Sequence, residues 1–335
     1  MIYPIADLHC DLLCYLSGHE KRSPLDLDVR CSIPQLQEGN VLFQILAVYT
    51  PTERGSVNSG KSQIESFKKM LTNFRNEVTI FPGEKQKINL GMAIENASSV
   101  FSEDESLHEG FARIRRIEKE VCKLAYISFT WNSENRFGGG AHSNLGITND
   151  GKALLEFVDG RNIAIDLSHA SDQLAFDILN EIDKNNRVIP VIASHSNARA
   201  ITNVPRNLPD ELIREIISRN GLIGFNFVRQ FLEVEGRAGF AEHLNHFLKM
   251  GAVNNLCFGA DFFYGMDVPV AHQKPSDALF FPEFANSSVY PKVVEIWKNE
   301  LNLDSSLLNQ ICSENLLRFM ENEIYQIKGS ASTNY

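Results

Sequence analysis

Short apolar runs rich in β-branched residues recur along the chain, with amphipathic stretches between them. Strands are expected near residues 4–11, 41–50, 88–95, 124–131, 162–169, 188–195, 222–228 and 256–262. In "KSQIESFKKMLTNFRNE" and "DQLAFDILNEIDKN" the apolar positions fall three and four apart, which predicts helices. "PDELIREIISRNG" predicts another, opened by Pro209 and closed by Gly221. Eight strands alternating with helices indicate an α/β protein with a parallel sheet, and eight is the number that closes a (β/α)8, TIM-like barrel. An open doubly wound sheet gives a similar alternation. No repeat or linker divides the chain, so residues 1–325 are expected to form one domain, followed by a flexible polar tail at 326–335. The least regular parts, at 16–37, 135–146 and 264–290, each follow a strand and would gather over the C-terminal face of a barrel.

Polar residues break this pattern at the strand ends. "ADLHCDLL" places Asp7, His9 and Asp11 at alternate positions, which in a regular strand share one face. His9 and Asp11 end the first strand, Glu95 the third, His169 the fifth, His195 the sixth and Asp261 the eighth. Each has a plain reading alone: a satisfied core histidine, a helix-capping glutamate, a loop acid beside Gly259. Their recurrence at one rim points instead to a metal site at the C-terminal face. Three imidazoles with carboxylates suit zinc or another borderline divalent ion, where calcium and magnesium prefer oxygen alone. The set exceeds the needs of one catalytic zinc, and a carboxylate such as Glu95 can bridge two ions that activate water and polarise a carbonyl. Hydrolysis is the reaction class that follows. His243 and His246 fall on an outer helix and are expected to be structural, while His19, His108 and His272 are expected at the surface.

Composition narrows the partners. A net charge of -10 and a pI near 5.4 argue against nucleic acid. Six scattered cysteines without a CxxC motif fit reduced thiols. No signal peptide, membrane-length apolar run or lipid-anchor tail is visible, so a cytoplasmic protein without a membrane partner is expected.

In the order "DLHCDLL", "GMAIENA", "IDLSHAS", "VIASHSNARAITNVPRNLPDE", "FGADFF" and "ENLLRFME", the chain resembles the renal (membrane) dipeptidase family nearly end to end. These are zinc dipeptidases of the amidohydrolase type on a (β/α)8 barrel. The resemblance implies two Zn2+ per chain, one on His9 and Asp11, the other on His169 and His195, with Glu95 bridging. Manganese or iron would suit the same donors. It implies that Asp261 moves the proton from water to the leaving amine and that Arg206 takes the dipeptide's terminal carboxylate. It also implies tolerance of L,D-dipeptides and a homodimer. Asp7 is then expected to be structural, set back from the ligands. The animal enzymes read "LTH" after the fourth strand, with a substrate-contacting histidine. "SFTWNSEN" puts Trp131 there instead, leaving His142 in the Gly-rich loop as a candidate substitute. Two rivals stand beside this reading, the first prompted by that departure. One is a metal-dependent amidohydrolase of a non-peptide amide, a lactam or an N-acyl amino acid, and the other a non-catalytic binding barrel.

Overall fold

Eight parallel strands form a closed ring in the computed structural model, which describes residues 2–269 and 276–327. They are β1 (Ile5–Cys10), β2 (Val41–Tyr49), β3 (Ile88–Glu95), β4 (Leu124–Ser128), β5 (Ala164–Asp166), β6 (Val191–Ala193), β7 (Leu222–Phe225) and β8 (Leu256–Phe258). Each pairs with the next, and β8 returns to β1 through Phe258 and Asp7. That closure makes the fold a (β/α)8 barrel and removes the open-sheet alternative. Helices such as Ser56–Asn73, Leu107–Glu120, Asp172–Lys184 and Phe240–Lys249 cover the crossings. A short parallel strand, Val78–Ile80, lies beside the start of β3, and a small hairpin pairs Glu233–Val234 with Arg237–Ala238. His272 and the tail from residue 328 lie outside the described residues.

Local chemistry sets the helix ends. Ser171 Oγ accepts from Leu174 N at 3.0 Å, and Thr148 Oγ1 from Gly151 N at 3.1 Å, each satisfying a first-turn donor. The helix after Pro209 runs Asp210–Ser218, with Asp210 and Glu211 in its first turn. It stops earlier than the expected Gly221: Asn220 takes the left-handed φ of 54°. Gly221 is needed for another reason, since a Cβ there would lie 2.0 Å from the Val191 carbonyl oxygen.

All eight strands send side chains into one apolar lumen. Ala6, Leu8, Phe43, Ile45, Ala93, Tyr126, Ala164, Ile192, Leu222 and Cys257 cluster there with Leu316, Leu317, Phe319 and Met320 of the C-terminal helical segment. That segment plugs the floor, where Asn315 Nδ2 donates to Val253 O and Leu256 O. The cluster of histidines and carboxylates lies at the opposite, C-terminal mouth.

Two sequence expectations are corrected. Most strands end sooner than expected: β4 stops at Ser128 instead of 131, β5 at Asp166 instead of 169, β6 at Ala193 instead of 195. Side-chain bonds replace the ladder there, as Asp166 Oδ1 accepts from Ser168 N at 3.0 Å and Ser194 N at 2.8 Å. Asp7 and His9 also do not share a face. Ala6 and Leu8 face the lumen, while Ile5 and Cys10 pack in the outer layer, and the register to β2 shifts between Asp7 and Cys10. This irregularity turns His9 inward and leaves Asp7 outward, on the hydroxyl of Tyr290 at 2.7 Å and Gln44 Nε2 at 2.8 Å.

The outer layer is locked by Trp297 in helix Tyr290–Glu300. Its ring stacks on Phe258 of β8 at 5.0 Å and 13°, and Nε1 donates to Phe240 O at 3.0 Å. Trp297→Ala is expected to destabilise the fold by about 3–5 kcal/mol in urea unfolding. A loss below about 1 kcal/mol would mean that this packing contributes little.

Candidate metal centre

His9, Asp11, Glu95, His169, His195 and Asp261 converge at the barrel mouth, each at or just beyond a strand end. Glu95 is central. Its Oε2 lies 3.2 Å from His9 Nε2, and its Oε1 lies 2.8 Å from His169 Nε2 and 3.9 Å from His195 Nε2. His9 Nε2 also faces Asp11 Oδ1 at 3.9 Å and Asp261 Oδ1 at 3.8 Å. His169 and Asp261 reach these positions with left-handed φ values of 69° and 62°. For residues other than glycine such backbone costs on the order of 1–3 kcal/mol and concentrates at functional sites.

The hydrogen-bond network assigns every imidazole its tautomer. Tyr126 Oη donates to Leu8 O at 3.1 Å, so it accepts from His9 Nδ1 at 2.6 Å. Ser194 Oγ donates to Asp166 Oδ2 at 2.6 Å, so it accepts from His195 Nδ1 at 2.7 Å. Asn132 Oδ1 accepts from His169 Nδ1 at 2.9 Å. All three rings thus carry their proton on Nδ1 and aim an Nε2 lone pair at the centre. His169 Nε2 and His195 Nε2 face each other at 2.9 Å with no proton between them. His9 Nε2, Asp11 Oδ1 and Glu95 Oε2 are buried without any hydrogen-bond partner. Repelling lone pairs and orphaned carboxylate oxygens fit cations, and the donor set fits a borderline divalent metal.

Burial pushes Glu95 up to about 8 and Asp261 up to about 7, and raises Asp11 well above the usual carboxylate range. The same desolvation drives His169 and His195 well below theirs. A cavity of about 310 Å3 opens over the cluster, and Tyr49, Trp131, His142 and Arg206 help to line it. Arg206 is itself buried, its guanidinium 5.3 Å above the Phe231 ring, and Nε and Nη2 have no partner.

Comparison with known proteins gives the chain its family. The family model for membrane dipeptidase, peptidase family M19, matches residues 2–333. The chain belongs to that family. Membership makes it a metal-dependent hydrolase of the dipeptidase class, and the barrel agrees. Mouse dipeptidase 3 is 24% identical over 335 residues, which is 94% of this chain and 64% of that one. An uncharacterized Klebsiella pneumoniae protein from the pqqA 5' region is 27% identical over 54% of this chain and 71% of its own length. Among solved structures, a Rhodobacter sphaeroides metallopeptidase liganded with a phosphinate mimic of L-Ala-D-Ala superposes with a TM-score of 0.78. It is 19% identical, over 96% of this chain and 100% of that one. The probable dipeptidase PvdM of Pseudomonas aeruginosa has a TM-score of 0.73 at 14% identity, over 95% and 94%.

The other expected residues divide clearly in this dipeptidase. Trp131 stands in the cavity wall, edge-on to Tyr49 and tilted on the His169 ring at 6.1 Å. His142 is exposed, though it lines the cavity rim. His243 and His246 pair separately, with Thr202 and Asp210, away from the centre. His19 and His108 are exposed. Among the described residues no helix is long and apolar enough to cross a membrane. Sequence reasoning did not assign Tyr126, Asn132, Asp166, Ser194 or Asn226. Asp166 and Ser194 lie inside the quoted "IDLSH" and "ASHS", and a polar residue beside each histidine was the available signal.

Two outcomes follow. Ser194→Ala should weaken retention of metal by about 10–100-fold, as loss of a group that orients a histidine ligand does, read by titration against a chelator. Unaltered affinity would mean that the Asp166–Ser194–His195 chain is only packing. The second concerns pH. Without metal, Glu95 and Asp261 hold protons in the fold that the unfolded chain releases from about pH 4, so stability falls as pH rises towards 8. His169 and His195 act oppositely, their contribution being present above about pH 6.5 and lost on acidification. Metal binds the ionised carboxylates and neutral imidazoles. The Tm gap between metal-loaded and chelated protein should therefore be wider at about pH 8.5 than at about pH 5.5, and a reversed trend would contradict the assigned protonation.

Proposed function

We propose that the chain is a binuclear zinc dipeptidase acting on dipeptides with a free C-terminal carboxylate, L,D-dipeptides among them. One observation carries the reading: a single buried carboxylate, Glu95, turns one oxygen to His9 and the other to His169 and His195. His9 and Asp11 would hold one ion, His169 and His195 the second, and Glu95 would bridge. Manganese or iron suits the same donors. Two such ions, when bound, lower the pKa of water and polarise a carbonyl oxygen.

The protein's own groups do the rest. Asp261 Oδ2 is held by Asn226 Nδ2 at 3.0 Å, which leaves Oδ1 to exchange a proton. This carboxylate would accept a proton from the attacking water and pass it to the leaving amine. Arg206 offers Nε and Nη2, the edge of the guanidinium that meets a carboxylate in parallel. Burial under the loops keeps that edge dry, so binding of a terminal carboxylate satisfies both donors at once. A related fold that accommodates an L-Ala-D-Ala mimic supports including D-residues at the second position.

The test is metal content together with hydrolysis of a panel of L,L- and L,D-dipeptides, N-acyl amino acids and a lactam. About two ions per chain and a preference for dipeptides are expected. Asp261→Asn should lower kcat by about 10²–10⁴-fold with metal retained. Arg206→Ala should raise KM for dipeptides but not for their C-terminal amides. Faster turnover of N-acyl amino acids or lactam would refute the substrate class. Metal-replete protein inert to every short amide would indicate a binding barrel.

A further inference from the structure

Tyr49 ends β2, and its Cα is the register partner of Glu95 on β3. It is 5% exposed, lines the cavity, and its hydroxyl is buried without a hydrogen-bond partner. Its backbone is clamped: Tyr49 N donates to Gln63 Oε1 at 2.9 Å, and Gln63 Nε2 donates back to Tyr49 O. A fixed, dry phenol with nothing to bond is costly unless an arriving group completes it.

Topology says which end of a substrate arrives there. In a ring of eight strands, β2 stands opposite β6, and Arg206 is carried by the loop after β6. A dipeptide whose carboxylate lies on Arg206 must cross the Glu95 cluster and direct its other end towards β2. The groups on that side are the Asp11 and Glu95 carboxylates, the Tyr49 oxygen and the Trp131 ring, 5.3 Å from Tyr49 at 60°. Carboxylates, a phenol oxygen and an aromatic ring complement a cation.

We propose that Tyr49 and Trp131 form the subsite for the substrate's α-ammonium group, the Tyr49 oxygen accepting an N–H bond and the indole covering it. This rests on the dipeptidase reading and deepens it. With Arg206 at one end and Tyr49 at the other, the site measures two residues and disfavours an acylated or extended amino end. It also gives Trp131 a task suited to an aromatic ring, which has no charge of its own to offer the reaction.

The experiment measures calorimetric Kd values for the phosphinate mimic of L-Ala-D-Ala and its des-amino counterpart. Metal-loaded wild type, Tyr49→Phe and Trp131→Leu are compared, with metal content determined for each. Removing the amino group should weaken wild-type binding by about tenfold or more. Tyr49→Phe should weaken the amino-bearing ligand by about tenfold, as expected for a lost hydrogen bond to a charged group, and its counterpart by less than about twofold. Trp131→Leu should show the same selectivity. Equal weakening of both ligands, whether from lost metal or from a contact to the phosphinate, overturns the subsite, as does no weakening at all. Wild type that hydrolyses dipeptides yet ignores the amino group also overturns it. Wild type that hydrolyses none but keeps the tenfold preference overturns the functional reading and leaves the subsite standing.

Discussion

Three imidazole lone pairs and three carboxylates share one buried space around Glu95, and the only guanidinium seen among the cavity-lining residues is that of Arg206. Such a cluster is repulsive as it stands, because removal from water disfavours every charge and leaves the lone pairs facing each other. The surrounding structure nevertheless works to keep it in that state. Tyr126, Asn132 and Ser194 occupy the outer nitrogen of each ring and so prevent the proton from moving to Nε2. His169 and Asp261 accept left-handed backbone to stay in place. These costs are offset when cations bind, which is how metal affinity becomes folding free energy.

The sequence pattern carried the barrel and the residue types that cluster at its mouth, because both depend on local order. Apolar runs at regular intervals report eight strands, and a histidine or carboxylate at a strand end stays visible whatever the neighbouring loops do. What it could not carry was geometry that depends on distant partners. Tyr126 fixes His9 from 117 residues away, and Tyr290 holds Asp7 from 283. Alternation also fails as a guide where the backbone leaves the extended state. The irregularity around Leu8 and His9 put Asp7 and His9 on opposite sides, and no pattern of residue types marks it.

The floor of the barrel matters to the mouth. Leu316, Leu317, Phe319 and Met320 fill the lower lumen with apolar volume, so the polar cluster rests on a low-dielectric base. Charges above such a base interact strongly with whatever enters the cavity. Tight packing under His195 depends on Gly224 and Gly259. A Cβ on either would come within about 2 Å of the Ser194 carbonyl oxygen. Any larger residue would displace Ser194, and with it the link from Asp166 to His195.

An outer-helix histidine reaches the segment carrying Arg206 by a similar chain. His243 is buried and pushed down to about 4, so it stays neutral and its Nδ1 accepts from Ala198 N at 3.2 Å. Its Nε2 proton is then directed at Thr202 Oγ1, which itself donates to Glu233 O. Asn207 Nδ2 bridges Thr202 O and Phe231 O, and Leu208 N donates to Asn197 O. The segment carrying Arg206 is thus tied on both sides of the residue. A guanidinium edge left unpaired on a mobile loop would find water or a nearby carboxylate. Held above Phe231, it stays open, so that under the proposed function the ordering cost of meeting a carboxylate would largely be met during folding and not at binding.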